Sequence, residues 1–217
     1  MQGRAILFSE MTPDATWEDR FNEWYDDEHI PLRMAVGGFR GAQRYRVGGT
    51  QHYLVVYEMD SPAVLQSPAY LSLKNNPSDR TKRMIGGVTG FTRYIGEETG
   101  CYTKEPENAD RLDAPCLYSV FFEVPPERQH ELDDWYENEH IPQLLECKEW
   151  LLVRRFRIVD GEPKSWTHLA LHYLKDERAL ESPERQRARQ SPMRTRLAKE
   201  SWFAPKYSVH HKHGSRQ

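Results

Sequence analysis

The residues with the clearest capacity for chemistry are two histidines, His29 and His140, each of which follows a tyrosine by four positions. Imidazole takes up or releases a proton near neutral pH, and residues four apart on a helix share one face. We therefore predict acid–base catalysis by His29 with Tyr25 and by His140 with Tyr136. An equally weighted alternative is that each histidine only fastens the end of its helix.

Each histidine is directly preceded by a glutamate, Glu28 or Glu139. Neighbouring positions on a helix diverge by about 100 degrees, so neither glutamate needs to contact its own histidine. We expect both carboxylates to have a structural, orienting role and to accept hydrogen bonds from backbone amides of the following loop.

Two arginines on predicted strands, Arg44 and Arg155, occupy equivalent positions in the two halves of the chain. A partly buried guanidinium needs an anionic partner. If that partner is Glu28 or Glu139, the arginines are structural. If it is a carboxylate or phenolate of a substrate, they are substrate-binding residues.

Tyrosines on a first-half strand are replaced by histidines in the second half, because Tyr53 and Tyr57 align with His168 and His172. Residues at i and i+4 of a strand share one face, so the sequence predicts that His168, His172 and His140 converge as acid–base partners around one pocket. Substrate contacts are predicted for the two tyrosines, and hydrogen-bonded core histidines are the alternative. No H-x-H or H-E-x-x-H spacing supports a metal site, and none is predicted.

These residues belong to an internal repeat. The segment WYDDEHIP at 24–31 recurs as WYENEHIP at 135–142, 111 positions later, with six of eight residues identical. Further along, 54–68 aligns with 169–183 at an offset of 115. The repeat predicts two similar half-domains. Trp24 and Trp135, which open the motif, are predicted first as core residues and second as contacts for an aromatic substrate.

Hydrophobic periodicity predicts the order strand, helix, strand, strand, helix, strand in each half. In the first half Trp17, Phe21, Trp24 and Glu28 share one helical face, and Pro31 is predicted to end that helix. The predicted segments are strand 5–8, a helix from 14, strands 39–47 and 52–59, a helical region from 61 and strand 91–95, then strand 117–122, helix 126–139, strands 151–158 and 168–174, a helical region at 177–199 and strand 206–209.

This order predicts an α+β fold in which two ferredoxin-like βαββαβ repeats form an intrachain α/β barrel, with imidazole and phenol groups facing an enclosed cavity. A polar, acidic stretch without apolar periodicity predicts the linker. The predicted boundaries are a first repeat at 1–100, a linker at 101–115, a second repeat at 116–209 and a mobile tail at 210–217.

Composition restricts the class of protein further. The net charge of −3 and the pI near 6.3 give no general attraction to nucleic acid. No apolar run approaches the roughly 20 residues that span a bilayer, and the first residues lack signal-peptide features, so we expect a cytoplasmic protein without a membrane partner. Three cysteines without a C-x-x-C pair argue against disulfides and structural zinc.

The motif W-Y-x-x-E-H-I-P, followed in the first half by a glycine turn, Phe39 and the Arg44-Tyr45 strand, resembles the EthD-like branch of the dimeric α/β-barrel superfamily. Members usually form the barrel by homodimerising, so the resemblance implies a tandem fusion. Relatives include cofactor-free monooxygenases, polyketide cyclases, decarboxylases, dehydratases, lactone isomerases, stress-induced barrels and haem-binding branches. Glu149-Trp150 replaces the Gly38-Phe39 turn, which leaves open whether both halves keep a working pocket.

The residues and the resemblance together predict a cofactor-independent lyase or isomerase that acts on a small aromatic or polyketide-like compound. Histidine would move a proton beside a carbonyl or phenol while tyrosine and arginine stabilise oxyanion charge, as decarboxylation, dehydration or retro-aldol release require. The alternatives are a monooxygenase, cofactor-free or haem-dependent, and a non-catalytic, ligand-binding barrel of the stress type. No cofactor is expected, the expected partner is a small aromatic substrate, and a homodimer of the fused barrel stays open.

Overall fold

The computed structural model describes residues 2–104, 109–164 and 166–217. The strands are β1 Ala5–Thr12, β2 Phe39–Arg46, β3 Tyr53–Met59, β4 Thr89–Tyr102, β5 Cys116–Phe122, β6 Trp150–Glu162, β7 His168–Leu174 and β8 Lys206–His213. They are hydrogen-bonded as a closed barrel in the order β1-β3-β2-β8-β5-β7-β6-β4. This architecture confirms the predicted fold class, a fused pair of ferredoxin-like repeats.

Short helices connect the strands of each repeat. The helices are α1 Glu18–Trp24, α2 Ile30–Met34, α3 Pro68–Asn75, α4 Asp79–Gly87, α5 Gln129–Trp135, α6 Ile141–Leu144, α7 Pro183–Arg189 and α8 Pro192–Leu197. Short 3-10 segments lie at Ala15–Trp17, Pro62–Gln66, Ala109–Asp113, Pro126–Arg128 and Glu177–Glu181. Within the described residues, no helix has the length and apolar character needed to cross a membrane.

The chain divides into two compact units, the first made of 1–97, 159–163 and 213–217, and the second of 98–158 and 164–212. In the first unit, Phe21 and Trp24 of α1 are fully buried in one apolar cluster with Val55 of β3. The second unit builds its own cluster in the same way, with Leu132 and Trp135 of α5 buried. Each motif helix therefore packs its apolar face onto a sheet of its own unit.

The helix that carries the first motif does not end at Pro31, and the prediction that it would is wrong. Residues Tyr25–His29 form a π-helical turn in which the amide of Ile30 donates to the carbonyl five residues earlier, and α2 then continues the helix. The shift of hydrogen-bond register falls directly before the proline, where the backbone has no N–H to offer. The second motif repeats this geometry, with a π turn at Tyr136–His140 followed by α6.

Several strands extend beyond their predicted limits, and two of them reach into the segments predicted as linker and tail. β4 continues into the predicted linker, of which 105–108 lie outside the described residues. β8 runs to His213, and the backbones of Gln217 and Ala42 pair at 2.9 and 3.0 Å, so the segment 210–217 is not the free tail that was predicted. Backbone pairing needs no apolar side chain, which explains why this polar segment carries no strand pattern.

The turn between α2 and β2 requires a glycine at its second position. Gly38 has a φ of +99°, and its carbonyl accepts a hydrogen bond from the amide of Asp60 at 2.9 Å. A Cβ atom at Gly38 would lie 2.5 Å from a methyl carbon of Val64, whereas a Cβ atom at Gly37 would have nothing within 4 Å. Both the backbone conformation and the lack of space therefore exclude a side chain at Gly38, whereas neither excludes one at Gly37.

We expect Gly38→Ala to lower the free energy of unfolding by about 1–3 kcal/mol, because it places a side chain on a left-handed residue and against Val64. The matched control Gly37→Ala should change it by less than about 0.5 kcal/mol. Urea denaturation followed by tryptophan fluorescence measures both values. Equal losses in the two variants would contradict this description of the turn.

Candidate functional site

The π-helical turn of the first motif sets the position of His29. A π turn brings residues five apart together, and the His29 ring centroid lies 4.1 Å from that of Trp24 and 4.8 Å from that of Tyr25. Trp24 is held in turn by a hydrogen bond from its Nε1 to the hydroxyl of Thr81 at 3.0 Å. Because His29 is only 3% exposed, aromatic packing holds its imidazole in one orientation.

A cavity of about 720 Å³ lies beside this histidine, within the first unit. Small-molecule sites commonly measure roughly 300–1,000 Å³. Three apolar lining residues, Leu32, Ile85 and Phe91, are 43%, 36% and 37% exposed, so the cavity opens to solvent through an apolar mouth. Its inner wall includes Leu7, Ser9, Met11, Tyr25, Val55 and Tyr57.

Two hydroxyls in the cavity, those of Tyr57 and Tyr25, lack strong hydrogen-bond partners among the described residues. The buried hydroxyl of Tyr57 has no partner in the described part of the chain, and that of Tyr25 is 3.6 Å from the thioether of Met11, a weak acceptor. The ring of His29 contacts aromatic rings. Buried polar groups nearly always have partners, so this set points to a ligand that supplies them.

Burial controls the protonation of these three groups. It raises the pKa of Tyr25 to about 12 and raises the pKa of Tyr57 further, because a phenolate would be poorly solvated there. Burial is the main cause that lowers the pKa of His29 well below its usual value, and the positive charges of Arg33 and Arg44 add smaller decreases. At neutral pH the cavity therefore offers two phenols that can donate hydrogen bonds and an imidazole that can accept a proton.

The cavity lining is cationic. Arg33, Lys74, Lys82 and Arg93 line it, and its described lining contains no carboxylate. Lys82 and Arg93 each pair with an exposed aspartate outside the lining, whereas no ion pair joins Arg33 or Lys74 to another described residue. A low-dielectric pocket with this sign of charge favours an anionic ligand.

Arg33 lies one helical turn after the histidine, and the sequence analysis did not select it. Its guanidinium donates to the carbonyl of His29 at 3.1 Å, and the guanidinium carbon is 5.8 Å from the centre of the Tyr57 ring. A signal was present in the sequence, because the equivalent residue of the second repeat is Leu144. The two copies therefore differ in charge directly after a nearly identical motif.

The motif glutamates anchor a later helix of their own repeat. Glu28 accepts hydrogen bonds from the hydroxyls of Ser78 at 2.5 Å and Thr81 at 2.9 Å, at the start of α4. Glu139 accepts from the backbone amide of Met193 at 3.1 Å, at the start of α8. An acid at the start of a helix satisfies free donors and the helix dipole. The prediction that these glutamates accept hydrogen bonds from the loop directly after the motif is therefore wrong.

Arg44 joins the first motif helix to the sheet. Its guanidinium pairs with Asp26 at 2.9 Å and with Asn22 at 2.5 Å, two residues one helical turn apart. It also lies 4.6 Å from the centre of the Tyr25 ring and is not among the residues that line the cavity. Arg44 therefore contacts the tyrosine without lining the cavity.

Arg155 makes the same contacts in the second unit. It pairs with Glu137 at 3.1 Å and with Asp133, the equivalents of the first-unit partners. The prediction that Arg44 and Arg155 pair with Glu28 and Glu139 is therefore wrong. Those glutamates lie on another side of the helix, two positions after the acids that face the strand.

Tyr57 alone among the predicted substrate-binding residues of the first repeat lines its cavity. The hydroxyl of Tyr53 instead donates to Glu18 and accepts from Asn22 at 3.1 Å. Trp24 is fully buried behind the histidine. Trp135 is 3% exposed and borders a small cavity in the second unit.

The second unit brings together two of the three histidines predicted to converge. His140 and His172 both contact Tyr136, with ring centroids at 5.5 and 6.4 Å, and Nδ1 of His172 accepts from Nε1 of Trp150 at 3.2 Å. His168 lies apart, at the first position of β7.

Burial lowers the pKa of His140 to about 3 and that of His168 to about 4. In the described residues no group of three His, Cys, Asp or Glu could hold a metal ion.

Larger side chains occupy the second unit where the first has its cavity. β5 pairs with β7 in the same register as β1 with β3, which identifies the equivalent positions. The cavity that remains measures about 70 Å³, against about 720 Å³ in the first unit, so it has no room for a porphyrin or an aromatic substrate. The larger residues are Tyr118 for Leu7, Val120 for Ser9, Phe122 for Met11 and Trp150 for Phe39.

Solved structures of low sequence identity share this fold over nearly the whole chain. An anthrone oxidase-like protein is 11% identical, with 98% of this chain and 92% of that chain covered and a TM-score of 0.71. A candidate monooxygenase of Fusobacterium nucleatum subsp. nucleatum is 13% identical, with 98% and 94% covered and a TM-score of 0.59. A chlorite dismutase variant of Candidatus Nitrospira defluvii is 10% identical, with 97% and 90% covered and a TM-score of 0.58.

These neighbours confirm the fold, and none of them identifies the EthD-like branch. A family model described as a domain of unknown function, DUF4286, matches residues 116–211, which is the second repeat and less than half of the chain. No curated protein matches the chain.

We expect the free energy of unfolding to fall as the pH is lowered from about 7 to about 5. The pKa values of His29, His140, His168 and His172 are lowered in the folded chain, so below the usual value near 6.5 the unfolded chain binds protons that the folded chain does not. His172→Gln should remove one proton that only the unfolded chain binds. The fall in the free energy of unfolding between pH 7 and pH 5 should therefore be smaller by about 2 kcal/mol.

The exposed His130 provides the matched control, and His130→Gln should leave the loss unchanged. Urea denaturation at the two pH values, followed by tryptophan fluorescence, measures all three proteins. An undiminished loss in His172→Gln would show that this histidine takes up a proton in the folded chain.

Proposed function

We propose that the chain is a cofactor-independent oxygenase that oxidises a small, weakly acidic aromatic compound held as its anion in the first-unit cavity. The observation that carries the proposal is the combination of a neutral, buried His29, the unpartnered phenol of Tyr57, the weakly bonded phenol of Tyr25 and a cationic, largely apolar lining. Fold similarity to an anthrone oxidase-like protein and a candidate monooxygenase supports it. The lyase or isomerase predicted from the sequence becomes the second candidate.

Binding follows from the lining. Apolar residues cover the faces of an aromatic substrate, and the carbonyl oxygen on its rim, which becomes an oxyanion when the substrate loses a proton, accepts hydrogen bonds from Tyr25, Tyr57 and Arg33. Hydrogen bonds to a charged group contribute about 1.5–3 kcal/mol each. The hydroxyl of Tyr57 thereby gains an acceptor, and that of Tyr25 exchanges the weak acceptor Met11 for a stronger one.

His29 acts as the base in the first step. It removes a proton from a CH₂ group conjugated with the carbonyl of the substrate, and the resulting enolate charge spreads onto the oxygen held by Arg33. Burial disfavours an isolated imidazolium, as the low pKa of His29 shows. The adjacent substrate anion offsets that cost, so the two charges form together as a pair.

Molecular oxygen then oxidises the enolate. For a CH₂ group the balance is two C–H bonds broken, one oxygen atom bound to carbon as C=O and the other released as water. The substrate supplies the electrons that reduce oxygen, so no further reductant enters. The proton taken by His29 leaves with the water.

Contacts that recur in both repeats position the groups that act on the substrate. We infer that Arg44 and Glu28 are positioning residues, because one contacts the Tyr25 ring and the other fixes α4 beside the cavity. We also infer that both repeats belong to the EthD-like branch, since each keeps the W-Y-x-x-E-H-I-P motif. The second repeat then serves chiefly as a scaffold, because its cavity is nearly filled.

The second candidate is a lyase or isomerase that uses the same proton transfer. It is favoured by the same feature, a base beside an anion-binding set, since an enolate can also lose a leaving group or be protonated elsewhere. The two candidates differ in the consumption of oxygen.

We expect the protein to consume oxygen with anthrone as the test substrate, and His29→Gln to lower kcat/KM by about 10²–10⁴ through loss of the base. An oxygen electrode measures uptake, and mass spectrometry with ¹⁸O₂ follows the label into the product carbonyl. His168→Gln, which changes a buried histidine outside both cavities, is the matched control and should keep full activity.

Product formation without oxygen uptake would move the assignment to the lyase or isomerase. A Soret band in the active protein would contradict the cofactor-independent part. Equal activity of His29→Gln and the control would remove the histidine from the mechanism.

We expect Arg33→Met to raise the Kd of an anionic aromatic ligand by about 10- to 100-fold, since it removes one charge-assisted hydrogen bond. Arg20→Met, an exposed change on α1 outside the cavity, is the control. Quenching of tryptophan fluorescence by 2-naphthoate measures binding, with neutral naphthalene for comparison. If Arg33→Met weakened both ligands equally, the arginine would act on packing and not on charge.

A further inference from the structure

Three arginines from α7 and α8 surround the small cavity of the second unit. Arg185, Arg189 and Arg194 line it, together with Tyr118 and Tyr207. The guanidinium carbon of Arg185 lies 5.8 Å from the centre of the Tyr118 ring. Backbone carbonyls hold two of the arginines, since Arg185 donates to Leu180 at 2.6 Å and Arg194 donates to Arg189 at 3.1 Å.

No carboxylate neutralises this cluster. Ion pairs join none of the three arginines to a described acid, although Arg187 of the same helix pairs with Glu146 at 2.5 Å. Burial lowers the pKa of Arg194, and the charges of Arg189 and Arg185 lower it further, so the three cations repel one another. A bound anion would remove this repulsion.

His140 adds a different polar group to the same cavity. Its Nδ1 atom is buried and has no partner in the described part of the chain. The backbone of Ala188 acts to raise the pKa of His140 against the larger lowering by burial, as a carbonyl that faces the ring does. With the ring proton on the side of that carbonyl, Nδ1 of the neutral ring is an acceptor. The cavity therefore combines arginine donors with one buried acceptor that lacks a donor.

The arginines are specific to the second repeat. The equivalent positions of the first repeat carry a phenol, an amine and a hydroxyl, and the cavity there is about ten times larger. The replacements are Arg185 for Tyr70, Arg189 for Lys74 and Arg194 for Thr81. The second repeat has thus lost a ligand-sized cavity and gained positive charge around a small one.

We propose that the second-unit cavity is a binding site for inorganic phosphate. One water molecule takes up about 30 Å³ of liquid, so a cavity of about 70 Å³ has room for a small tetrahedral ion but not for an organic ester. Phosphate at neutral pH accepts hydrogen bonds from guanidinium groups and keeps a proton that it can donate to His140. Sulfate has the same shape and lacks that proton.

The test is calorimetric titration with sodium phosphate at constant ionic strength, with the thermal midpoint as a second readout. We expect saturable binding and a rise in the midpoint that an equal ionic strength of sodium chloride does not give. Sulfate should bind more weakly. Arg194→Met should weaken phosphate binding by about tenfold or more, whereas Arg187→Met, a surface change on α7, should not.

Several results would overturn the proposal. These are a midpoint that responds equally to phosphate and chloride, equal affinity in Arg194→Met and wild type, or binding of phenyl phosphate without binding of the free ion. If Arg194→Met does not fold, the exposed Arg189→Met replaces it under the same criteria. The oxygen uptake assigned to the first unit is measured separately, so either proposal can fail without the other.

Discussion

The π-helical turn in each motif is the constraint on which the rest of the structure depends. A proline inside a regular α-helix removes a hydrogen bond and clashes with the preceding turn, at a cost of about 3 kcal/mol. The register shift at Tyr25–His29 lets the helix pass through Pro31 without that clash. As a result His29 packs against Trp24, and Arg33 follows on the same continuous helix beside the cavity. A helix that ended at the proline would leave the base and the cation unconnected.

Duplication allows one copy of this scaffold to keep a large cavity while the other fills the equivalent space with side chains. Unfilled apolar space weakens a fold because its lining loses contacts, so a large cavity persists only where a ligand or a function requires it. In the second unit, Trp150 and Phe122 fill the equivalent space and build a dense core. The first unit keeps the same helix, glutamate anchor and arginine clamp around open space. The two copies of one design thus differ in the size of the cavity that each leaves open.

The sequence predicted the elements that repetition and periodicity determine, and missed those that depend on distant contacts. The strand and helix order, the fold class and the change of residues at Glu149-Trp150 follow from local pattern. The continuation past Pro31 depends on a backbone register that has no side-chain signature. The partners of Arg44 depend on the rotation of a helix over a strand, which spacing alone leaves undetermined. Arg33 lay outside the motif, and only a comparison of charge between the repeats would have identified it.

A fold shared by oxidases, dismutases and monooxygenase-like proteins leaves the reaction to the chemistry of the site. Proton removal beside a carbonyl serves a lyase and an oxygenase equally, so His29 and Arg33 cannot decide between them. What decides is the species that reaches the enolate next. The mouth formed by Leu32, Ile85 and Phe91 is apolar and admits oxygen, an apolar molecule, more readily than water or an acid. Under the proposed function, an enolate that this cationic pocket shields from protonation would transfer its electrons to oxygen.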